Sequence, residues 1–154
     1  YNLINLKYKG GINVLIDQIS VFIENRQGRM AEITKILAEG DIDIRALSIA
    51  DTTDYGILRL IVNDPAKAKE ILSSHNVTAS LTKVLAIAID DRPGGLNTAV
   101  ATLSDAGIEI EYMYAFLNPK KGTAFVIIRV GDNDRAIEVL KAGGIKFMDQ
   151  NDLQ

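Results

Sequence analysis

Asn25, Gln27, Gly28, Arg29 and Met30 lie where an apolar, β-branched run gives way to a helical stripe, with a glycine at the joint. Such a joint points the backbone N–H groups of a helix's first turn at one spot. Those groups have no intrahelical partner, so the spot suits a carboxylate or a phosphate. The same chemistry recurs 66 positions later in Asp91, Pro93, Gly94, Gly95 and Leu96, with Gly94 against Gly28 and Leu96 against Met30. A plainer reading stands beside this one. A glycine after a strand can serve only to permit a tight turn, and an acidic residue near a helix start can serve only to favour its dipole.

Two loops of this kind need strands to end at them and helices to begin there. Residues 20–23 read as a buried strand, and Met30, Ile33 and Leu37 follow at the spacing of an amphipathic helix that Gly40 stops. Residues 42–44 and 47–50 predict a second strand, 51–56 a polar turn and 57–62 a third strand. Asp64-Pro65 is an N-cap followed by proline at the first helical position, with Ala68, Ile71 and Leu72 as the buried stripe and Asn76 as a left-handed close. Residues 77–81 predict a fourth strand. The order then restarts: a strand over 83–89, a helix carrying Leu96, Ala99 and Leu103, a stop at Gly107, and Ile108 and Ile110 against Ile42 and Ile44. The turn over 118–122 is longer, so the offset becomes 68 where Asp132, Ala136, Val139 and Leu140 answer Asp64, Ala68, Ile71 and Leu72, and Gly144 answers Asn76. The expected fold is α+β: two tandem ferredoxin-like βαββαβ units, over residues 17–82 and 83–153, with antiparallel sheets and helices on one face. Residues 77–89 hold neither Gly nor Pro, so no flexible linker is expected and the units should be rigidly paired.

Composition closes off several functions. The chain has 154 residues, 47% hydrophobic and 24% charged, enough for a core. A net charge of −3 lacks the basic excess that would neutralise nucleic-acid phosphates or anionic lipid. With zero cysteines there are no disulfides, thiolate catalysis or sulfur metal sites, and a reducing compartment, the cytoplasm, is the default. No apolar run approaches the roughly 20 residues that span a bilayer. Residues 1–13 begin without Met, and Lys9-Gly10-Gly11 is what a purine-rich ribosome-binding sequence would encode, which would make Val14 a start; an ordinary N-terminal extension is the alternative. In either case the segment is expected to be non-native or disordered, and burial of Leu3, Ile4 and Leu6 would count against that.

The doubled unit, with its apolar strand, Asn25-Arg26-Gln27-Gly28-Arg29-Met30, helix, and Ile42-Asp43-Ile44 on the second strand, resembles the ACT domain, a regulatory module of amino-acid-metabolising enzymes. The first loop is similar to the Asn-Arg-Pro-Gly-x-Leu stretch of phosphoglycerate dehydrogenase regulatory domains. The resemblance implies a regulatory or sensor protein without catalysis of its own, and a ligand between paired units beside the glycine loop and the second strand. The ligand it implies is a small molecule, best a free amino acid. Such a ligand needs N–H donors for its carboxylate and oxygen acceptors for its ammonium. Gly28-Arg29-Met30 and Gly94-Gly95-Leu96 are the expected donors; Asn25, Asp43, Asp91 and Glu109 are acceptors expected near the same strand ends, with Ile44 and Ile110 beside them. The sequence departs from the family pattern at Gln27, where Pro93 keeps the proline, at Asp91 in place of Asn25, and at Asp43 and Glu109 where Asn is common. Because Asn25 adds no repulsion towards a ligand carboxylate and Asp91 does, the first copy is the better site. Neither a metal nor a cofactor is expected.

The rivals are an acylphosphatase-like enzyme and a module that only pairs with proteins. Arg26-Gln27-Gly28-Arg29 superficially suits the first, but its family's Gly-x-x-Gln-Gly-Val pattern is missing and no nucleophile–base pair is visible. His75, the sole histidine, reads as a surface residue at a helix end. Tyr112, Tyr114 and Phe116 alternate along one strand and invite base stacking, yet without basic context they read as core or pairing contacts. Lys120-Lys121 reads as a solvated hairpin tip. A helix-free sheet face carrying Leu, Ile and Tyr predicts a homodimer or docking to a metabolic enzyme.

Overall fold

A computed structural model describes residues 14–51, 54–115 and 122–148. The leader over 1–13, Phe116, most of the 118–122 turn with Lys120 and Lys121, and two residues of the 51–56 turn lie outside them. The described chain runs β1 (Leu15–Glu24), α1 (Arg29–Glu39), β2 (Ile44–Asp51), β3 (Tyr55–Val62), α2 (Pro65–Ser74), β4 (Ala79–Asp90), α3 (Gly95–Asp105), β5 (Ile110–Ala115), β6 (Thr123–Val130), α4 (Asn133–Ala142) and β7 (Lys146–Phe147). This is the α+β fold of two ferredoxin-like units. The strands form one antiparallel sheet in the order β2-β3-β1-β4-β6-β5, with β7 also on β4. No helix among the described residues is long and apolar enough to cross a membrane.

Local signals hold at the helix ends. Asp64 and Asp132 each accept a hydrogen bond from the backbone N–H three residues on, Lys67 and Arg135, at 3.0 Å. Asn76 and Gly144 both take left-handed φ, 59° and 73°. The first helix differs in detail: Gly40 has φ −85°, and the left-handed residue is Asp41 at 56°, the counterpart of Gly107 at 69°. A carboxylate residue tolerates that conformation by bonding locally, so the glycine is displaced by one position from where the turn needs it.

The strands expected over 77–81 and 83–89 are one strand. β4 runs unbroken through the boundary expected between residues 82 and 83, because nothing in it interrupts a ladder. Its partner β1 is longer than the four residues its apolar core predicts and carries the explanation. Leu15 pairs with Leu85, Asp17 with Lys83 and Ile19 with Leu81. Lys83 is Asp17's own counterpart 66 residues on, so a local twofold passes through this pair, and the Lys83 ammonium sits 2.9 Å from the Asp17 carboxylate. The two units are joined as an isologous dimer would be, within one chain.

Burial separates into three layers. Ile19, Val21, Leu58 and Leu60 pack under Ile33, Leu37, Ala68 and Leu72 in the first unit. Leu85, Ile87, Ile128 and Val130 pack under Ala99, Leu103, Ala136 and Leu140 in the second. On the helix-free side, Ile16, Ala46 and Ile61 meet Val84, Ala86, Ile127 and Met148, with Tyr114 and Phe125 against them. Cα atoms of the edge strands β2 and β5 approach within 8 Å. The sheet therefore folds back so that the helix-free faces of the two units cover one another. The face expected to be left for a second molecule is largely used inside the chain, and Phe22, Tyr55 and Ile57 are what remains exposed on it.

Gln18 is the only polar side chain among the described residues that this packing buries completely. Its amide nitrogen donates to Ser20 Oγ at 3.0 Å and to the Tyr112 hydroxyl at 2.8 Å, and its amide oxygen accepts from the Tyr114 hydroxyl at 2.8 Å. The Arg59 guanidinium lies 3.8 Å above the Tyr112 ring. The alternating tyrosines of β5 are thus pairing contacts between the units. Burial, and then the neighbouring Tyr112, push the Tyr114 phenol well above its ordinary value of 10.0. A phenol held neutral in the folded state contributes stability that is complete below pH 10 and falls as pH rises past it. Denaturant melts should show stability declining above about pH 10, and Tyr114→Phe should flatten that decline.

Candidate functional site

The two glycine loops begin alike. Gly28 and Gly94 take φ +82° and +85°, a left-handed conformation that costs a side-chain-bearing residue about 1–3 kcal/mol. An added Cβ would meet nothing within 4 Å at either, so conformation, not crowding, requires glycine. The entering strands are pinned in parallel ways: Asn25 N–H donates to the Asp54 carbonyl at 3.0 Å, and Asp91 N–H to the Gly122 carbonyl at 3.2 Å. Arg26 and Arg92 each pair with the acid two residues before, Glu24 and Asp90, at 3.1 Å.

The loops use some of their own donors. Arg29 N–H donates to the Arg26 carbonyl and Gly95 N–H to the Arg92 carbonyl, at 3.3 and 3.0 Å. Of the three residues read as backbone donors in each loop, the middle one is spent closing the turn. Met30 and Leu96 are the next along, at the helix starts.

Beyond that the copies diverge. In the first unit a cavity of about 280 Å³ opens beside the loop, lined by Ile23, Glu24, Asn25, Arg26, Arg29, Met30, Ile49 and Gly56. The Arg29 side chain is 15% exposed, and its Nε is enclosed without a hydrogen-bond partner, while its Nη1 reaches Glu32 at 2.9 Å. Glu32 also takes Arg26 Nη2 at 2.8 Å. The hydrogen bond from Arg29 is the first cause that holds the Glu32 carboxyl below the usual carboxylate range, and Glu24, then Glu32, hold the Arg26 guanidinium above its ordinary value. Two arginines and two carboxylates thus balance around the loop, and the enclosed Nε–H of Arg29 is left without a partner.

In the second unit Gly95 replaces Arg29. A Cβ there would fall 2.0 Å from the Asp90 carbonyl oxygen. The loop packs onto its own strand end, and the cavity of about 270 Å³ beside it is lined by Ile89, Asp90, Arg92 and Gly95, the counterparts of Ile23, Glu24, Arg26 and Arg29, together with Thr98, Thr123 and the 143–146 turn. Asp91, Pro93, Gly94 and Leu96 are not among its lining residues.

One expectation of placement is corrected. Asp43 and Glu109 were expected beside the glycine loops, but each lies at the opposite end of its sheet. β1 and β2 both run antiparallel to β3, so β2 begins where β1 is far from its loop: Ile44 pairs with Val62, while Glu24 pairs with Tyr55. Asp43 donates its N–H to Asn63 Oδ1 at 3.0 Å and holds Arg45 at 3.2 Å. Glu109 lines a separate cavity of about 230 Å³ with Asp132 and Arg135, and Ile110, like Ile44, starts a strand at a register irregularity. The structure brings Asn25, Arg29 and Met30 together and leaves Asp43 and Ile44 outside.

Sequence reasoning counted Arg29 only as a backbone donor and missed its guanidinium. The signal was present: Arg29 and Glu32 stand three apart in a first helical turn, the spacing of a helix-surface pair. Ile49 and Gly56 were missed because only the registers of β3 on β1 and of β2 on β3 bring them to the loop. His75 is exposed, with Nδ1 2.9 Å from the Ile71 carbonyl oxygen, a helix-end role as expected. No group of three metal-ligating side chains occurs among the described residues.

A family model described as an ACT domain pair matches residues 14–154. The crystal structure of protein BT0572 from Bacteroides thetaiotaomicron is 40% identical, with a TM-score of 0.85, covering 91% of this chain and 96% of that one. The regulatory subunits of aspartate kinase from Thermus flavus and Thermus thermophilus share the fold, at 19% and 15% identity and TM-scores of 0.61 and 0.59. They cover 87% and 86% of this chain, and 94% and 95% of their own. No curated protein matches significantly.

Proposed function

Since the chain belongs to the ACT domain family, as a tandem pair over residues 14–154, we propose that it is a cytoplasmic regulatory protein that binds a free amino acid and catalyses nothing itself. The observation that carries this reading is the Arg29 Nε enclosed beside the first-loop cavity without a partner. A buried donor left unmade costs about 1–3 kcal/mol, more when charged, and a ligand carboxylate would recover that cost. The first turn of α1, opened by Gly28, adds backbone N–H groups and the positive end of the helix dipole. Glu24 and Asn25 line the same cavity and supply oxygen acceptors for the ammonium. At about 280 Å³ the cavity falls just short of the roughly 300–1,000 Å³ of drug-sized ligand sites, which suits an amino acid better than a nucleotide.

Thermal shift against the twenty amino acids tests the reading. A ligand at a hundredfold excess over Kd stabilises by about 2.7 kcal/mol, a rise of a few degrees in midpoint. Arg29→Ala should weaken binding about tenfold to a hundredfold, and Gly28→Val should abolish the response. Asp43→Ala should leave it, since Asp43 lies at the far end of the sheet. If no amino acid moves the midpoint at millimolar concentration, or if Gly28→Val responds like wild type, the site is wrong. Turnover of an acyl phosphate above background would overturn the absence of catalysis. The partner is a second copy or a larger metabolic enzyme, docked through the exposed Phe22, Tyr55 and Ile57, and a clean monomer by light scattering at high micromolar concentration would remove the first.

A further inference from the structure

By side-chain chemistry the lining of the first-loop cavity divides in two: Glu24, Asn25, Arg26 and Arg29 make up its polar wall, and Ile23, Met30, Ile49 and Gly56 its apolar wall. Ile49 points to the helix side of the sheet, since it pairs with buried Leu58, yet it is 45% exposed. The helices do not reach over it. On the polar wall, both arginines already hold carboxylates: Arg26 on Glu24 and Glu32, Arg29 on Glu32. Formal charge around the loop cancels, so a ligand of no net charge meets no electrostatic penalty, whereas an added acidic or basic side chain would meet only a low-dielectric wall of Ile and Met. None of Ile23, Met30, Ile49 and Gly56 carries a side-chain hydroxyl, amide or charge to pair with a polar ligand side chain.

We infer that the ligand of this site is an amino acid with an apolar side chain, the α-carboxylate and ammonium held on the Arg29–Glu24–Asn25 wall and the side chain laid against Ile23, Met30 and Ile49. This rests on the amino-acid reading above and goes beyond it in naming the ligand class. Met30 is the adaptable part of the wall, since an unbranched thioether repacks around either an aliphatic or an aromatic group. Selectivity comes from what the wall lacks. A polar side chain placed there would give up water and gain no hydrogen bond, and so would be rejected.

Isothermal titration with L-isoleucine, L-methionine, L-phenylalanine, L-serine, L-aspartate and L-lysine decides it, on the whole chain and on Ile49→Thr. Threonine keeps the β-branched shape that an edge strand favours, so the variant should fold. At least one of the three apolar amino acids should bind ten times or more tighter than each of the three polar ones. Ile49→Thr should weaken that amino acid about tenfold while its circular dichroism and melting midpoint stay near wild type. Tighter or equal binding of serine, aspartate or lysine would overturn the inference and leave the amino-acid site standing. Unchanged affinity in Ile49→Thr would likewise overturn it. Binding by none of the twenty amino acids would overturn the site itself, and this inference with it.

Discussion

Replacing Gln18 by leucine is expected to cost about 2–5 kcal/mol and to lower the melting midpoint by roughly 5–15 °C. Leucine fills nearly the same volume, so little of the loss is cavity. The loss comes from Tyr112 and Tyr114, whose hydroxyls share Gln18 and would be left on the covered face with nothing to bond. Each orphaned polar group costs about 1–3 kcal/mol. The asymmetry of hydrogen-bond energetics supplies the control: removing both sides of such a bond is nearly neutral. The triple variant Gln18→Leu, Tyr112→Phe, Tyr114→Phe should recover most of the loss, because Arg59 still stacks on an aromatic ring at position 112. Equal stability of Gln18→Leu and wild type would mean that these bonds do not join the units. The arrangement also explains why two copies that could pair as identical halves pair unequally. The counterparts of Tyr112 and Tyr114 are Ala46 and Ser48, so large side chains on one unit face small ones on the other.

Gly95→Ala should destabilise by about 3 kcal/mol, the upper end of what overpacking costs. The Cβ would stand 2.0 Å from the Asp90 carbonyl oxygen, far inside any contact a real methyl makes, and the clash is with backbone that also anchors the end of β4 on β6. Gly28→Ala is the instructive comparison. There the Cβ meets open space, and only a φ of +82° opposes it, for about 1 kcal/mol. Chemical denaturation of the two variants should therefore rank them Gly95→Ala well below Gly28→Ala. The reverse order would mean that the second loop is not packed on its own strand.

Gly28 and Gly95, each in its glycine loop, thus do different things, and that difference was not visible in the sequence. What was visible came from local physics. The N-caps Asp64 and Asp132, the left-handed close at Asn76 and Gly144, and the stripes of Ile33, Leu37, Ala99 and Leu103 are set by residues a few positions apart, and composition exposes them. The repeat offset reported the order of elements for the same reason. What stayed hidden depends on register and on the far side of the sheet. Asp43 was grouped with the loop because both sit at strand termini, but strand direction decides which terminus. Gln18 had no place in the sequence reading, because only its alternation with Ile16, Ser20 and Phe22 along β1 puts it on the covered face. Arg29 was read for its backbone, because nothing local says that its guanidinium is enclosed.

Amide chemical shifts during a titration with L-isoleucine, L-methionine and L-phenylalanine test the central claim most directly. The account predicts that perturbations with at least one of them cluster at residues 24–31, 49 and 56, and disappear in Arg29→Ala while its remaining spectrum stays folded. Perturbations centred on residues 90–98 with 143–146, or on 107–111 with 131–135, would contradict it, as would a pattern at the first loop that survives the loss of Arg29.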